Sequence, residues 1–466
     1  MLPEPTESPE RSRPSPAGFV AFVVPGTNKA TKAAGDRAPS VACAAVPERF
    51  RAPTGTNDVL PPESRRWELL VDCFARLVER AGYGFVSTPV FEDAGVFSRV
   101  GESTDVVRKE MYDFEDKGGR RLALRPEGTA PVVRAWVQHR PPLPWKAWYV
   151  APSFRYERPQ AGRYRQHLQL GVEVLGTPDP DVDVEVISLA WDLYESLGLR
   201  RLLLLVNSLG DEVCKPPYLA RLRAYLEARA PSLCEEHRER WADNPLRVLD
   251  CKRSACREAT RDAPRMTDAL CGPCGQHFDR VQEGLGALRI PFAIETRLVR
   301  GLDYYTRTTF EVQASALESA QNGVGGGGRY DGLAELLGGP PTAGIGFGTG
   351  VERILLACDA EGTFPVPHAR LDAFVVDVTG GDVARDLTAE LRRAGLACDR
   401  SFDERSMKAQ FKAADRSGAV VVIVVGPDEL ASGSVKLQSL REEEADGQAV
   451  PRDAVLPALR ARLGRS

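Results

Sequence analysis

The sequence predicts a mixed α/β (α+β) protein: an antiparallel sheet, a helical insertion within it, and a smaller C-terminal α/β domain. Three observations predict it. Residues 153–176 (SFRYERPQAGRYRQHLQLGVEVLG) alternate apolar and polar side chains on both sides of a basic loop, as an antiparallel hairpin does. Residues 211–288 are helical and charged in texture and hold six of the ten cysteines, and sheet-like texture resumes at Phe292. Residues 419–425 form an unbroken aliphatic run of the buried, parallel kind. At 466 residues the chain exceeds what one core usually serves, so two or three domains are expected.

Bulk properties exclude some functions. A net charge of -4 argues against a general polyanion coat, though a local basic patch can still bind phosphates. No apolar run approaches the roughly 18–20 residues that span a membrane. Ten cysteines without a signal peptide suit the reduced thiols of a cytoplasm. Residues 1–48 are rich in Pro, Ala, Ser and Thr, and read as a disordered tail or as a start placed too far upstream.

From Phe50 the texture changes. A helix is expected over 64–81, with Trp67, Leu70, Val71, Phe74, Leu77 and Val78 at helical spacing. Residues 84–90, 110–114 and 121–125 read as short strands. The last leads into Glu127-Gly128-Thr129, where a strand breaks into a helix and could meet a ligand. Thr129 is the residue expected to cap that helix, and Glu127 has no comparable structural task. In the hairpin, Leu168, Leu170, Val172 and Val174 share one face, while Gln169, Gly171 and Glu173 share the other. Arg155 and Glu157 join that polar face, and Arg158, Arg163 and Arg165 make the tip basic. A sheet with one solvated face is the plainer reading. A helix over 181–197 and an aliphatic strand over 201–207 follow.

In the insertion, Cys251-x4-Cys256 and Cys271-x2-Cys274 are two close pairs that could meet around a structural zinc; four reduced thiols in a small lobe are the alternative. Arg300, Tyr304 and Tyr305 lie in a loop ahead of a strand at 308–312. Residues 323–339 read as a glycine-dense turn opening a short helix, without the Gly-Lys-Ser/Thr ending of a phosphate loop. In residues 343–358, Gly344, Gly346 and Gly348 alternate with Ile345 and Phe347, leaving one strand face bare for close approach. Arg353 then falls in the first turn of a helix, where a cation opposes the dipole; a phosphate partner would explain it. The C-terminal domain reads as strand 373–378, helix 382–394, helix 406–416 and strand 419–425, with an unpaired edge near 435–440.

Taken together these motifs resemble the class II aminoacyl-tRNA synthetases, and specifically the bacterial histidyl-tRNA synthetases. Residues 84–92 are similar to the dimer-forming motif 1. Phe154-Arg155-Tyr156-Glu157-Arg158-Pro159-Gln160 through Glu173 resemble motif 2, and residues 346–353 resemble motif 3. Leu298-Val299-Arg300-Gly301-Leu302-Asp303-Tyr304-Tyr305 and Gly327-Gly328-Arg329-Tyr330-Asp331-Gly332-Leu333 resemble the histidine-specific signatures. The resemblance runs from about Gly55 to the C-terminus. It implies a class II antiparallel-sheet catalytic domain over 49–366, with the insertion at 211–288, and an α/β anticodon-binding domain over 369–466.

The resemblance also implies a reaction and roles. L-Histidine would be activated by ATP, with Mg2+, to the adenylate and passed to tRNA(His) by a cytoplasmic homodimer. Arg155 would bind the α-phosphate and the carboxylate, Arg163 and Arg353 the distal phosphates, and Glu157 the adenine side. Arg300 would act as the cationic catalyst. Glu127 and Thr129 would hold the histidine amino group, Gln169 and Glu173 would complete the amino-acid site, and Tyr304 and Tyr305 would contact the imidazole. The hairpin tip would meet the tRNA acceptor end. The nearest alternative is the non-catalytic, histidine-binding regulatory subunit of ATP phosphoribosyltransferase, which usually lacks the anticodon domain. A class II synthetase for another amino acid is the other, and Arg300 to Tyr305 argue against it.

Overall fold

The computed structural model describes residues 50–101, 104, 106–301, 304–317, 322–367, 371–403, 405–440 and 447–465. The expected tail at 1–48, and Leu302 and Asp303 of the first signature, lie outside them. By its contacts, Ala52–Ser466 forms one compact unit. Among the described residues no helix is long and apolar enough to cross a membrane.

In chain order the first strands are β1 (Gly84–Phe85), β2 (Phe91–Asp93), β3 (Asp113–Glu115) and β4 (Arg121–Leu124). Then come the hairpin strands β5 (Trp145–Phe154) and β6 (Gln166–Leu175), followed by β7 (Leu202–Ser208) and β8 (Phe292–Ile294). Three more, β9 (Thr306–Ala314), β10 (Gly323–Arg329) and β11 (Gly344–Gly350), complete an eight-stranded sheet in the order β1-β5-β6-β11-β10-β9-β7-β8. Its six central strands are antiparallel to one another, and only the short edge strands β1 and β8 pair in parallel. β2, β4 and β3 make a separate small antiparallel sheet.

The two faces of the large sheet have different fates, set by strand alternation. Leu170, Val172 and Val174 of β6, with Ile345 and Phe347 of β11, point into the main core. Helices Glu63–Arg80, Pro180–Ser196, Gly272–Ala287 and Val351–Glu361 supply its other wall. Leu70, Phe74 and Val78 recur every four residues along the first of these and are fully buried, each contributing about 1.5–3 kcal/mol of apolar burial. The opposite face of β6 and β11 carries Gln169, Gly171, Glu173, Gly346 and Gly348. Because β11 is bare there, Glu173 lies directly over Gly346: a Cβ at that position would overlap Glu173 Oε2.

Several expectations change. The strand expected at 84–90 is two residues long, with one further backbone bond from the Val86 amide to the Trp148 carbonyl at 2.8 Å. Residues 106–110 form one π-helical turn, so the strand expected at 110–114 begins at Asp113. The glycine-dense stretch expected as a turn is β10, an interior strand paired on both sides; it has almost no side chains, and β9 and β11 hold it through the backbone. The C-terminal sheet comprises β12 (Ala373–Asp377), β13 (Cys398–Arg400), β14 (Val421–Val425), β15 (Ser434–Ser439) and β16 (Gln448–Pro451), in the order β13-β12-β14-β15-β16. The strand expected to be an open edge, β15, is therefore covered on both sides, by β14 and β16. Helices Asp382–Arg393 and Met407–Ser417 fall where expected.

Candidate active site

The bare face of β6, β10 and β11 forms the floor of a cleft of about 280 Å³. The turn after β4 contributes Glu127 and Thr129, and the hairpin contributes Arg155, Glu157, Arg163 and Gln169. Arg300, Tyr304 and Tyr305 come from the loop before β9, and Arg353 from the helix after β11. Ten of the eleven residues expected for substrate and catalysis thus line one space. The eleventh, Glu173, lies just beneath it, fully buried.

Glu127 and Thr129 exchange the roles expected of them. The Glu127 carboxylate caps the helix Thr129–His139, accepting from the Thr129 amide at 2.9 Å and the Ala130 amide at 2.8 Å. Thr129 is the first helical residue, and its hydroxyl donates instead to Glu173 at 2.7 Å. A carboxylate can reach forward to two orphan amides, which frees the hydroxyl for the site. Glu173 also accepts from Tyr149 at 3.2 Å and, through a short bond, from Tyr330. Burial pushes its carboxyl up from 4.5 to about 8, against the pull of these hydrogen bonds. Burial raises the Glu127 carboxyl as well. Two carboxyl groups thus lie beside or beneath the cleft in a dry environment that favours a cationic ligand.

Tyr304 and Tyr305 lie ring against ring, centroids 4.8 Å apart, and Tyr330 meets Tyr304 edge-on at 5.9 Å. The Tyr304 hydroxyl donates to Glu127 at 3.4 Å. This aromatic box has polar rims, which suits a flat polar ring. Gln169 accepts from Ser153 at 3.3 Å and donates to Tyr149 at 3.4 Å.

The cations are held in different ways. Arg155 Nε donates to the Pro126 carbonyl at 2.8 Å. Arg353 bridges two loops, donating to the carbonyls of Gly162 at 3.1 Å and Gly323 at 2.5 Å. Burial, then the charge of Arg163, holds its guanidinium below its usual value. Arg163 pairs with Glu157 at 3.4 Å, and Arg300 pairs with Glu311 at 3.4 Å. Among the described residues Arg300 Nε is buried with no hydrogen-bond partner. Glu157 Oε2 in the same cleft is another such atom, and Trp148 Nε1 and Thr388 Oγ1 are examples outside it.

His167, Glu311, Glu352 and Tyr149 belong to the site although the sequence assigns them no role, and Tyr330 enters there only as a member of the second histidine signature. Burial, then the charges of Arg155 and Arg353, pushes His167 down to about 3, so it is neutral in the cleft. Glu352 accepts from the Leu168 amide at 3.0 Å, and burial raises it to about 7. The alternation of Glu311 with buried Phe310 and Val312 on β9 is the available signal for that residue. At the hairpin tip Arg158 is exposed, whereas Arg165 lies over the Tyr156 ring at 4.0 Å.

The four cysteines expected to form one metal set do not converge. Cys251 and Cys256 lie with Cys234 and His237, and Cys271 and Cys274 lie with Asp211 and Cys214. The pairs are nested along the chain, which spacing alone does not disclose.

Two family models match the chain: "Histidyl-tRNA synthetase" over residues 55–354 and "Anticodon binding domain" over residues 372–462. The histidine–tRNA ligase of Moorella thermoacetica is 48% identical over 410 residues, covering 87% of this chain and 96% of the relative. That of Rhodococcus erythropolis is 49% identical over 417 residues, covering 88% and 97%. Among solved structures, apo histidyl-tRNA synthetase of S. aureus superposes with a TM-score of 0.75 at 35% identity, covering 88% of this chain and all of that one. With a cleft of this composition on an antiparallel sheet of this topology, the chain belongs to the histidyl-tRNA synthetase family.

Proposed function

We propose that the protein is a histidine–tRNA ligase. It joins the histidine carboxylate to the α-phosphate of ATP, releasing pyrophosphate, and then transfers the histidyl group from the adenylate to tRNA(His). The observation that carries this reading is the buried, unpartnered Nε of Arg300 in a cleft that also holds Arg155, Arg163 and Arg353. Negative charge accumulates at phosphorus as the carboxylate oxygen attacks, and fixed guanidinium groups stabilise it without reorganising. Arg155 takes the α-phosphate and the carboxylate, Arg163 and Arg353 the distal phosphates, and Glu157 the adenine side. Glu127, Thr129, Gln169 and Glu173 surround the amino group. Tyr304 and Tyr305 take the imidazole, whose nitrogens need polar partners, so substrates lacking them are rejected.

Magnesium would arrive on ATP, and Glu311 and Glu352, two of the four carboxylate side chains lining the same cleft, would hold it. The ion would supply neutralisation of the distal phosphates. We place a catalytic domain over 49–366 and an anticodon-binding domain over 369–466, a division supported by matched segments at 55–354 and 372–462 that fall inside those limits. A homodimer is supported by Phe85, Phe91 and Phe114, all about half exposed in or beside the motif 1 strands. A cytoplasmic location is consistent with free cysteines, none of them in a disulfide among the described residues. The regulatory-subunit alternative is disfavoured by the matched anticodon-binding domain and by relatives at 48 and 49% identity that are named as ligases.

The test is histidine-dependent ATP–pyrophosphate exchange, run beside Arg300→Ala. Exchange specific to histidine and lost in the variant is expected. Histidine binding without exchange would shift the assignment to the regulatory protein. Exchange that survives in Arg300→Ala would overturn the role given to that residue.

A further inference from the structure

We propose that the insertion carries two zinc sites, one closing its base and one closing its tip. The ligands come in four pairs along the chain: Asp211/Cys214, Cys234/His237, Cys251/Cys256 and Cys271/Cys274. The first pair meets the fourth and the second meets the third. Within each quartet the ligand atoms all lie within 4.8 Å of one another. In the tip quartet His237 Nδ1 is 3.2 Å from Cys234 Sγ and 3.7 Å from Cys256 Sγ. In the base quartet Asp211 Oδ1 is 3.4 Å from Cys214 Sγ and 3.8 Å from Cys271 Sγ. The edges of a zinc tetrahedron with its usual bond lengths are about 3.5–3.8 Å. Both quartets are therefore close to liganding geometry.

The donor sets point to zinc. Three sulfurs with an imidazole, and three sulfurs with a carboxylate, are too soft for magnesium or calcium and suit tetrahedral zinc. Each quartet holds an odd number of thiols. A disulfide would leave one thiol of each quartet unpaired. An ordinary apolar core would have no use for His237, while Asp211 also accepts from the Val213 and Cys214 amides at 3.0 and 3.3 Å and pairs with Arg307 at 3.5 Å. Amide donors already address the sulfurs, Cys234 N to Cys256 Sγ at 3.3 Å and Asp211 N to Cys214 Sγ at 3.4 Å, as the outer shell of thiolate sites does.

The lobe also needs such crosslinks. Its helices Glu235–Arg240, Pro245–Leu249 and Ser254–Ala259 have six, five and six residues, too short to persist alone. The apolar cluster beneath them is itself built partly from these cysteines, among them Cys214, Cys234, Cys256 and Cys274. Small lobes with thin cores are commonly held by metal. The base site ties the segment leaving β7 to the start of helix Gly272–Ala287, so it fixes both ends of the insertion on the catalytic body.

The test uses the full chain without a histidine tag, expressed in zinc-replete medium and dialysed against metal-free buffer. Elemental analysis should find about two zinc per chain, falling to about one in Cys256→Ser and in Cys274→Ser. Wild-type protein reconstituted with cobalt(II) should show the visible absorption of tetrahedral cobalt–thiolate centres, a readout that survives if either variant fails to fold. A chelator should make the insertion's thiols reactive together. Metal-free wild type, disulfides found by mass, iron in place of zinc, or cobalt spectra without thiolate bands would each overturn the proposal.

Discussion

The Thr129 hydroxyl donates to the Glu173 carboxyl group across 2.7 Å, joining the first turn of a helix to the hairpin's second strand. Glu173 is fully buried, and burial raises it from 4.5 to about 8. The folded state therefore keeps a proton that the unfolded chain releases above about pH 4.5. Between pH 4.5 and 8 the unfolded state binds fewer protons, so this carboxyl makes ligand-free stability fall as pH rises. Glu173→Gln should flatten that slope, measured as the denaturation midpoint against pH. A slope unchanged by the substitution would show that Glu173 is already ionised in the folded protein.

Two glycines in different settings carry opposite predictions. A Cβ at Gly346 on the bare face of β11 would overlap both Glu173 Oε2 and the Val172 carbonyl, and that carbonyl belongs to a paired strand. Gly346→Ala should cost about 3 kcal/mol, the upper end of overpacking penalties. Gly286, in the helix Gly272–Ala287, has nothing within 4 Å of the position a methyl group would take. Gly286→Ala should stabilise by about 0.5–1 kcal/mol through helix propensity. Urea denaturation of the two variants distinguishes a steric demand for glycine from a merely tolerated one.

What is legible in the sequence is what depends on local periodicity. Leu170, Val172 and Val174 go to the core and Gln169 and Glu173 to the opposite face, because alternation is a property of any strand. Residues whose role depends on a partner distant in the chain are less legible. Residue type points to Thr129 as the cap, but Glu127 is near enough to take that task and Glu173, far along the chain, claims the hydroxyl. Gly323–Arg329 looks like a turn because glycine is a poor strand former alone; pairing on both sides overrides that preference. The cysteine partners are hidden for the same reason, since nesting is set by how the insertion folds back on itself.

Arg329, within the second histidine signature, has a structural task. It is fully buried and pairs with Asp183 at 2.5 Å, while Asp183 also bonds His277 at 2.7 Å. Burial alone would raise the Asp183 carboxyl, but the His277 hydrogen bond and the Arg329 charge outweigh it and hold it low. This ties β10 to helices Pro180–Ser196 and Gly272–Ala287. Asp183→Ala leaves a buried guanidinium short of its main partner and should cost about 3–5 kcal/mol. Chemical denaturation checks it. A loss under about 1 kcal/mol would mean that Asp331 and the backbone carbonyls around Arg329 suffice.

Lys215 connects the insertion to the aromatic box. It opens the helix Lys215–Glu227 immediately after Cys214, and its ammonium donates to the Tyr305 carbonyl at 3.0 Å. Tyr305 stacks on Tyr304, so this bond positions the rings proposed to take the imidazole. A hydrogen bond from a charged donor contributes about 1.5–3 kcal/mol, which bounds the effect of losing it at roughly ten- to hundredfold. Lys215→Met should raise KM for histidine within that range and leave KM for ATP nearly unchanged, and Lys215→Arg should restore much of the loss. Steady-state pyrophosphate exchange with each substrate varied in turn separates the outcomes. Equal rises in both constants would mean that Lys215 supports the fold as a whole and not the histidine pocket.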